Sequence, residues 1–349
     1  MDSACVQDWG EQRILAMLQQ YCPPSVIGDD GAVLSVSAGK QLVVTTDVLV
    51  DGVHFSDRTT PPHAVGWRAT VANLSDLAAM GASPLGITVG LSLPPICPIT
   101  WVQKLYEGIA ACLECYSTPA QPTQLFGGDL CRSATLSISI TALGEAEPQH
   151  LLYRSTAQPN DALVVTGVHG ASRAGLEVLL TEQGDDHSAS KVDVASRAAW
   201  IQAHQYPQPR LDTLPVLADL KATCLNQPER AWAAMDSSDG LADAVLQICR
   251  ASGVGAVIDR EMLLIPSSLE QWVGAEQSLN WTLYGGEDFE LVLCLPAAIA
   301  AQFCERLSPS ATIIGEITAQ QDVVVRNQSG RSADLILSLE QGFQHFDVS

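Results

Sequence analysis

Five short acidic segments carry most of the chemistry legible in this chain: Ile27-Gly28-Asp29-Asp30-Gly31, Thr45-Thr46-Asp47, Asn73-Leu74-Ser75-Asp76-Leu77, Gly127-Gly128-Asp129 and Asp236-Ser237-Ser238-Asp239-Gly240. Each sets a carboxylate among small residues, the composition of a place where the backbone turns tightly and oxygen atoms converge. Carboxylates gathered at one point repel each other and drift toward neutrality. Hard cations with a preference for oxygen, such as Mg²⁺, remove that penalty. The pattern points to a multi-metal site that handles phosphates.

Taken singly, every segment has an ordinary alternative. Asp29-Asp30-Gly31 reads as a surface turn. Asp47 closes an apolar strand and could cap a helix or start a turn. Gly127-Gly128-Asp129 could be a tight turn. Asp236 to Gly240 precedes a helix, which its Asp or Ser could cap. Asp76 is harder to explain away, because it sits within the apolar helical stretch Leu74 to Met80, where a lone carboxylate is costly unless paired or metal-bound. Together, at the ends of strands and helices, the five are harder still.

The elements that must position them follow from periodicity. Residues 12–21 and Ala64 to Met80 have helical spacing, the latter stopping at Gly81. Trp101 to Tyr116 reads as another helix. Gln41 to Thr46, Leu85 to Leu93 and Thr135 to Leu143 read as strands. The polar, proline-bearing stretch Glu145 to Asp161 is the expected domain boundary, giving domains at 1–148 and 149–349. Beyond it, Ala162 to Thr166, Ala256 to Asp259, Phe289 to Leu295 and Thr312 to Ile317 read as strands. Ala171 to Leu180 and Leu241 to Ala251 read as helices, and Gln183 to Ser190 as a surface loop. The expected fold class is α/β, or α+β, in two mixed domains.

Composition narrows the function classes. The chain has 349 residues, enough for two domains, with 47% hydrophobic and 16% charged residues. Its net charge of -21 argues against a nucleic-acid or anionic-membrane surface. An acidic protein that binds phosphates needs cations to bridge like charges. The first residues carry no basic-then-apolar signal, and no apolar run is long enough to span a bilayer, so the expected location is the cytoplasm. The ten cysteines have no framework spacing and read as reduced thiols; Cys112 and Cys115 form one C-x-x-C in a helical segment.

Several phosphate-binding signatures are missing: a G-x-x-x-x-G-K-[ST] loop, a G-x-G-x-x-G after a strand, and the D-F-G and H-R-D of protein kinases. A phosphate here would be held by cations and backbone N–H groups. Against that background the strings IGDDGAV, TTDVLVDGVHF, VANLSDLAAMGASP, FGGD, MDSSDGLADAV and YGGEDFELV, in this order, resemble the thiamine-monophosphate kinase family of the aminoimidazole-ribonucleotide synthetase superfamily. The resemblance runs from about Ile27 to Phe346. It implies transfer of the ATP γ-phosphoryl group to thiamine monophosphate, with Mg²⁺. It also implies an N-terminal domain that dimerises through its sheet and a C-terminal domain that completes the nucleotide and substrate site.

Carried over by motif, the resemblance implies metal ligation by Asp30, Thr45, Thr46, Asp47, Asp76, Asp129, Asp236 and Asp239. ATP would meet Tyr106, Gly128, Asp129, Arg154 and Ser238. Thiamine monophosphate would meet His54, Glu287 and Phe343. Asp47, Asp129 and Arg154 would bear on the transfer itself. The acceptor is already a phosphate oxygen, so no strong base is needed, and none is placed. Two positions depart from the family pattern: Gln205 where Arg is usual, in His204-Gln205-Tyr206-Pro207-Gln208-Pro209-Arg210, and Gln344 where Asp is usual. The nearest rivals are other ATP-using members of the superfamily. Selenophosphate synthetase is expected to show a reactive Cys and a Lys near its start, and the hydrogenase-maturation dehydratase a terminal cysteine; neither is found here. A non-catalytic nucleotide- or metal-binding protein is the rival from another class.

Overall fold

Alternating apolar residues in QLVVTTDVLV make a strand with two distinct faces, and the first half of the chain is built around it. In a computed structural model, residues 4–24, 32–118, 121–182, 189, 192–224, 230–327 and 333–343 are described. The chain divides into two units, Met1–Leu77 with Ala82–Glu147, and Ala78–Gly81 with Pro148–Ser349.

The first unit opens with two short helices, α1 (Val6–Trp9) and α2 (Glu11–Leu18), followed by β1 (Gln41–Val50), α3 (Pro62–Ala79), β2 (Ser83–Leu93), α4 (Ile99–Cys115), β3 (Gln124–Arg132) and β4 (Ser137–Ala146). Its sheet runs β1-β4-β2-β3, with β2 and β3 parallel and the other neighbours antiparallel. One face is buried: Ile138, Ile140 and Ala142 of β4 and Ile87, Val89 and Leu91 of β2 are almost wholly inaccessible. Helix α3 lies over β1 and β4, with the Leu77 side chain against Gly144. The opposite face of β1 is open, and Leu42, Val44 and Val48 are 48%, 56% and 48% exposed.

Two expectations need correction. Asp47 does not end its strand: β1 continues through Val50, because β4 goes on pairing with it, Asp47 opposite Ile140 and Val50 opposite Ser137. Gly127-Gly128-Asp129 is not a turn but lies inside β3, where Gly128 pairs with Val89. A Cβ at Gly128 would stand 1.9 Å from the Val89 carbonyl oxygen, so the close approach of two strands requires glycine there.

The second unit holds β5 (Asp161–Thr166), α5 (Ala171–Glu182), α6 (Val194–Gln205), α7 (Thr213–Thr223), β6 (Ala233–Asp236), α8 (Leu241–Ser252) and β7 (Gly255–Asp259). There follow α9 (Ser267–Val273), α10 (Ala275–Tyr284), β8 (Leu291–Pro296), α11 (Ala297–Arg306), β9 (Ala311–Thr318), β10 (Val323–Arg326) and β11 (Leu335–Ile336). The sheet order is β11-β10-β7-β9-β5-β8-β6, antiparallel except for the β10/β7 pair. All of β5 is buried. Leu163 and Val165 join a core with Val245 and Ile248 of α8, while Ala162 and Val164 join another with Leu217 of α7 and Phe303 of α11. A strand covered on both faces reads as a continuous apolar run, as ALVV does. A smaller core holds Trp200 and Trp272 stacked at 5.6 Å, with Trp281 edge-on at 5.7 Å and the Arg173 guanidinium over the Trp281 ring. Strand β8 begins at Leu291 rather than Phe289, whose φ of +54° belongs to a turn. The expected loop Gln183 to Ser190 lies, apart from Ala189, outside the described residues.

Candidate functional site

In the first unit the oxygen-bearing residues ride on regular elements. Thr45 and Asp47 are two apart on β1 and so share a face. That face meets α3: the Thr45 hydroxyl donates to the Asp76 carboxylate, and the Asp47 N–H donates to Asn73 Oδ1 at 3.2 Å. Asp76 is thus no lone acid in an apolar helix. Thr46 faces the other way, its hydroxyl 2.6 Å from that of Thr141. Alternation keeps the Thr46 side chain from joining those of Thr45, Asp47 and Asp76 and puts it instead on the face of the sheet that carries Asp129, through the row Val48–Ser139–Gly90–Asp129. Asp129, exposed on β3, pairs with Gly90, one row along the sheet from the Asp47–Ile140–Val89–Gly128 row. With β4 and β2 intervening, Asp129 is about 14 Å from β1 at ordinary strand spacing. Asp30 lies outside the described residues.

His54 sits in the loop after β1, its Nδ1 accepting from the Val50 N–H at 3.0 Å. An accepting Nδ1 leaves Nε2 as the ring's donor. Buried Arg68 of α3 holds this loop, donating to the His54 carbonyl at 3.1 Å and to the Thr60 hydroxyl at 3.2 Å. Tyr106, expected at ATP, is a core residue of α4; its ring is 5.6 Å from that of Tyr21, and burial pushes its hydroxyl pKa up. The C-x-x-C divides, with Cys112 buried and Cys115 exposed, and none of the ten cysteines is in a disulfide.

In the second unit the donors sit on loops at one end of the sheet, where β5 and β6 finish and β8 begins. Asp236 ends β6 and is buried; Ser238 Oγ lies 3.3 Å from its carboxylate. The loop Ser237 to Gly240 does not cap α8: the N-cap is Gly240, with no side-chain hydrogen bond. This loop is instead stitched to Gly285–Glu290. The Ser237 N–H donates to the Glu290 carbonyl at 2.8 Å and the Glu287 N–H to the Ser238 carbonyl at 2.7 Å. A Cβ at Gly286 would stand 2.6 Å from the Ser238 oxygen. Glu287 and Phe289 are both left-handed, at φ +68° and +54°. Such a backbone costs about 1–2 kcal/mol per residue and persists where neighbours over-determine it.

Those neighbours are acids that sequence reasoning missed. Asp288 is buried and accepts from the Gly170 and Ser172 N–H groups at 2.7 and 2.8 Å. Burial pushes its carboxyl up to about 8; the two N–H groups pull it down, and Glu290 and Glu287 push it up. Glu290 accepts from Arg210 and from the Thr166 hydroxyl, each at 2.6 Å. Burial raises the Glu290 carboxyl, while Arg210 and Thr166 pull it back. Burial also works against the Arg210 charge, but Asp212 and Glu290 more than offset it and its pKa is raised, so the guanidinium stays charged.

Arg154 opens a 3-10 turn held to α8 by the Ser252 hydroxyl, which donates to the Arg154 carbonyl at 2.8 Å. Its charge faces Asp243, a third missed acid. Burial raises the Asp243 carboxyl, and so does the charge of Asp239 four residues earlier. That spacing, in MDSSDGLADAV, was the available signal. Phe343 is 53% exposed, which excludes a core role, and Gln344 lies outside the described residues.

Among the described residues no three His, Cys, Asp or Glu side chains converge on one point. The donors are all oxygens, which suits Mg²⁺ rather than the softer metals. Mg²⁺ commonly takes only one or two carboxylates, with water and substrate phosphates completing its shell. The arrangement fits that mode.

Comparison with known proteins agrees with this reading of the fold. Residues 28–146 match the family described as AIR synthase related protein, N-terminal domain, and residues 158–327 its C-terminal domain. The thiamine-monophosphate kinase of Synechococcus elongatus is 48% identical over 349 residues, 99% of each chain. The crystal structure of thiamine-monophosphate kinase from Stenotrophomonas maltophilia superposes with a TM-score of 0.72 at 32% identity, covering 90% of this chain and 94% of that one. AaThiL complexed with AMPPCP and TMP superposes with a TM-score of 0.67 at 29% identity, covering 96% and 99%. With this identity over nearly its whole length and the two-domain architecture in common, the chain belongs to the thiamine-monophosphate kinase family, among the AIR synthase related proteins.

Proposed function

We infer that this chain transfers the γ-phosphoryl group of ATP to thiamine monophosphate, giving thiamine diphosphate and ADP. The observation that carries the reading is 48% identity across 99% of a thiamine-monophosphate kinase. The relative solved with AMPPCP and TMP supports both substrates. Phosphoryl transfer needs positioning and charge neutralisation more than covalent chemistry. The acceptor oxygen is largely ionised at neutral pH, so direct displacement needs no protein nucleophile.

Thr45, Asp47 and Asp76 in the first unit, and Asp236 and Asp239 in the second, would hold Mg²⁺, with Asp30, Thr46 and Asp129 as further ligands. Bound Mg²⁺ supplies neutralisation of the phosphate charges. Arg154 offers a fork that matches two phosphate oxygens, and Gly128 and Ser238 would complete the ATP contacts. Glu287 and the exposed ring of Phe343 suit the cationic thiazolium, and His54 would orient the substrate. The open face of β1 supports a homodimer, since a second copy would cover Leu42, Val44 and Val48. No helix among the described residues is long and apolar enough to cross a membrane, and with its cysteines outside disulfides the protein would work in the cytoplasm.

The test is an ATP-to-ADP assay with Mg²⁺ in which thiamine monophosphate and thiamine are offered in parallel. Thiamine diphosphate should form from the monophosphate alone. Robust phosphorylation of thiamine, or no product from the monophosphate, would sink the reading.

A further inference from the structure

The segment from His204 to Arg210 stood out in the sequence, yet none of its residues is assigned a role above. Its two ends grip the two acids that flank Phe289. At one end, His204 Nδ1 lies 3.1 Å from the Ser172 hydroxyl, and the Ser172 N–H binds Asp288. At the other, Arg210 is 4% exposed, itself left-handed at φ +51°, and bonded to Glu290 at 2.6 Å. The rest of its guanidinium forks onto Asp212, Nε and Nη2 each at 3.0 Å. Buried His169, its pKa lowered to about 4 by burial and by the Arg210 charge, stays neutral beside it. The hydrogen bonds thus run from the segment through Asp288 and Glu290 to the turn carrying Glu287. Left-handed backbone at Glu287 and Phe289 is what such a grip can enforce.

We propose that His204 to Arg210 is a positioning clamp: Arg210, acting through Glu290, sets the backbone of Glu287 and so governs affinity for thiamine monophosphate. This rests on the kinase reading, in which Glu287 meets the substrate. Lysine cannot replace the clamp, because a single ammonium cannot serve Asp212 with a fork and Glu290 at once. Substrate binding weakens when the turn relaxes, while the phosphates, held elsewhere, still react.

The experiment compares wild type with Arg210→Lys, with Asp212→Asn on the exposed side of the clamp, and with the apolar pair Arg210→Met/Glu290→Leu. Removing both members of a buried ion pair together can preserve folding. Arg210→Lys should raise the KM for thiamine monophosphate about tenfold, with kcat and the KM for ATP within about threefold. Asp212→Asn should move the same constant the same way, by less. The apolar pair should melt near wild type and still show the raised KM. An unchanged KM in Arg210→Lys, a fall confined to kcat, or recovery of KM together with stability in the apolar pair would overturn the clamp. A crystal structure of Arg210→Lys separates the two readings. Relaxation of Glu287 from its left-handed φ supports the clamp whatever the acceptor proves to be, and an unmoved turn overturns it.

Discussion

The sheet of the first unit is covered on one face, and the sheet of the second on both. In β1 the alternation sends Thr45 and Asp47 toward α3 and leaves Leu42, Val44 and Val48 exposed, whereas in β5 both sets of side chains enter cores. The candidate sites differ in the same way. The first unit spaces its donors along a strand and a helix, so the pleat decides which of three consecutive polar residues can act together. The second places its donors on loops at strand ends, where left-handed residues aim neighbouring groups in unrelated directions. A regular element makes a site legible and rations its residues; a loop site is free of that limit but depends on what grips the loop.

The largest expected effect tests the pleat. Asp47→Asn and Asp76→Asn should each lower kcat/KM by on the order of a hundredfold or more, as removal of a charge-stabilising group does. Thr46→Val should lower it by less, because its hydroxyl lies on the opposite face, with Asp129, and not among the donors that meet α3. Steady-state kinetics decide it, and equal losses at Thr46 and Asp47 would break the distinction. In chelator the two Asn variants should melt no lower than wild type, since each removes like-charge repulsion. Wild type should gain about 2.7 kcal/mol from Mg·ATP at a hundredfold excess over its Kd, and the variants less.

Next comes covering. Leu293→Ala, wholly buried in β8, should cost about 2–5 kcal/mol in denaturant unfolding. Ile96→Ala, 73% exposed in the first unit, should cost less than about 0.5 kcal/mol, as exposed positions do. Val44→Lys should convert a dimer to monomer by light scattering; a wild type already monomeric at micromolar concentration would show that nothing covers the open face.

The smallest effect concerns the grip on the loop. Asp288 keeps its proton in the folded state up to about pH 8, while in the unfolded chain it loses it near the usual carboxylate pKa. The folded form therefore binds the extra proton, and stability falls as pH rises through that window. The slope is at most about 1.4 kcal/mol per pH unit between pH 5 and 7. Thermal melts of the metal-free protein should show a flatter pH profile for Asp288→Asn, and parallel profiles would refute the shift.

Much of this was legible where one element determines its own shape. The helix over Asp76 and the buried run of β5 follow from periodicity alone. What was misread depended on a partner strand. Asp47 looked like a strand end because aspartate is uncommon in strands, yet β4 carries the pairing three residues further. Glycines 127 and 128 looked like a turn, yet Val89 requires one of them within a strand. Arg210 and Glu290 are 80 residues apart, and no local pattern joins them. Nor does any signal announce a left-handed Glu or Phe, since side chains with a Cβ seldom go there and do so only under tertiary constraint.

The stacked indoles of Trp200 and Trp272, 15° from parallel, have an optical consequence. Transition dipoles held that close couple, and the chiral frame around them converts the coupling into a paired circular-dichroism band. In the first unit Trp67 neighbours Tyr116 and Trp101 neighbours Phe55. The chain therefore carries an intrinsic chiroptical label on its second unit, by which the melting of that half can be followed without adding a dye.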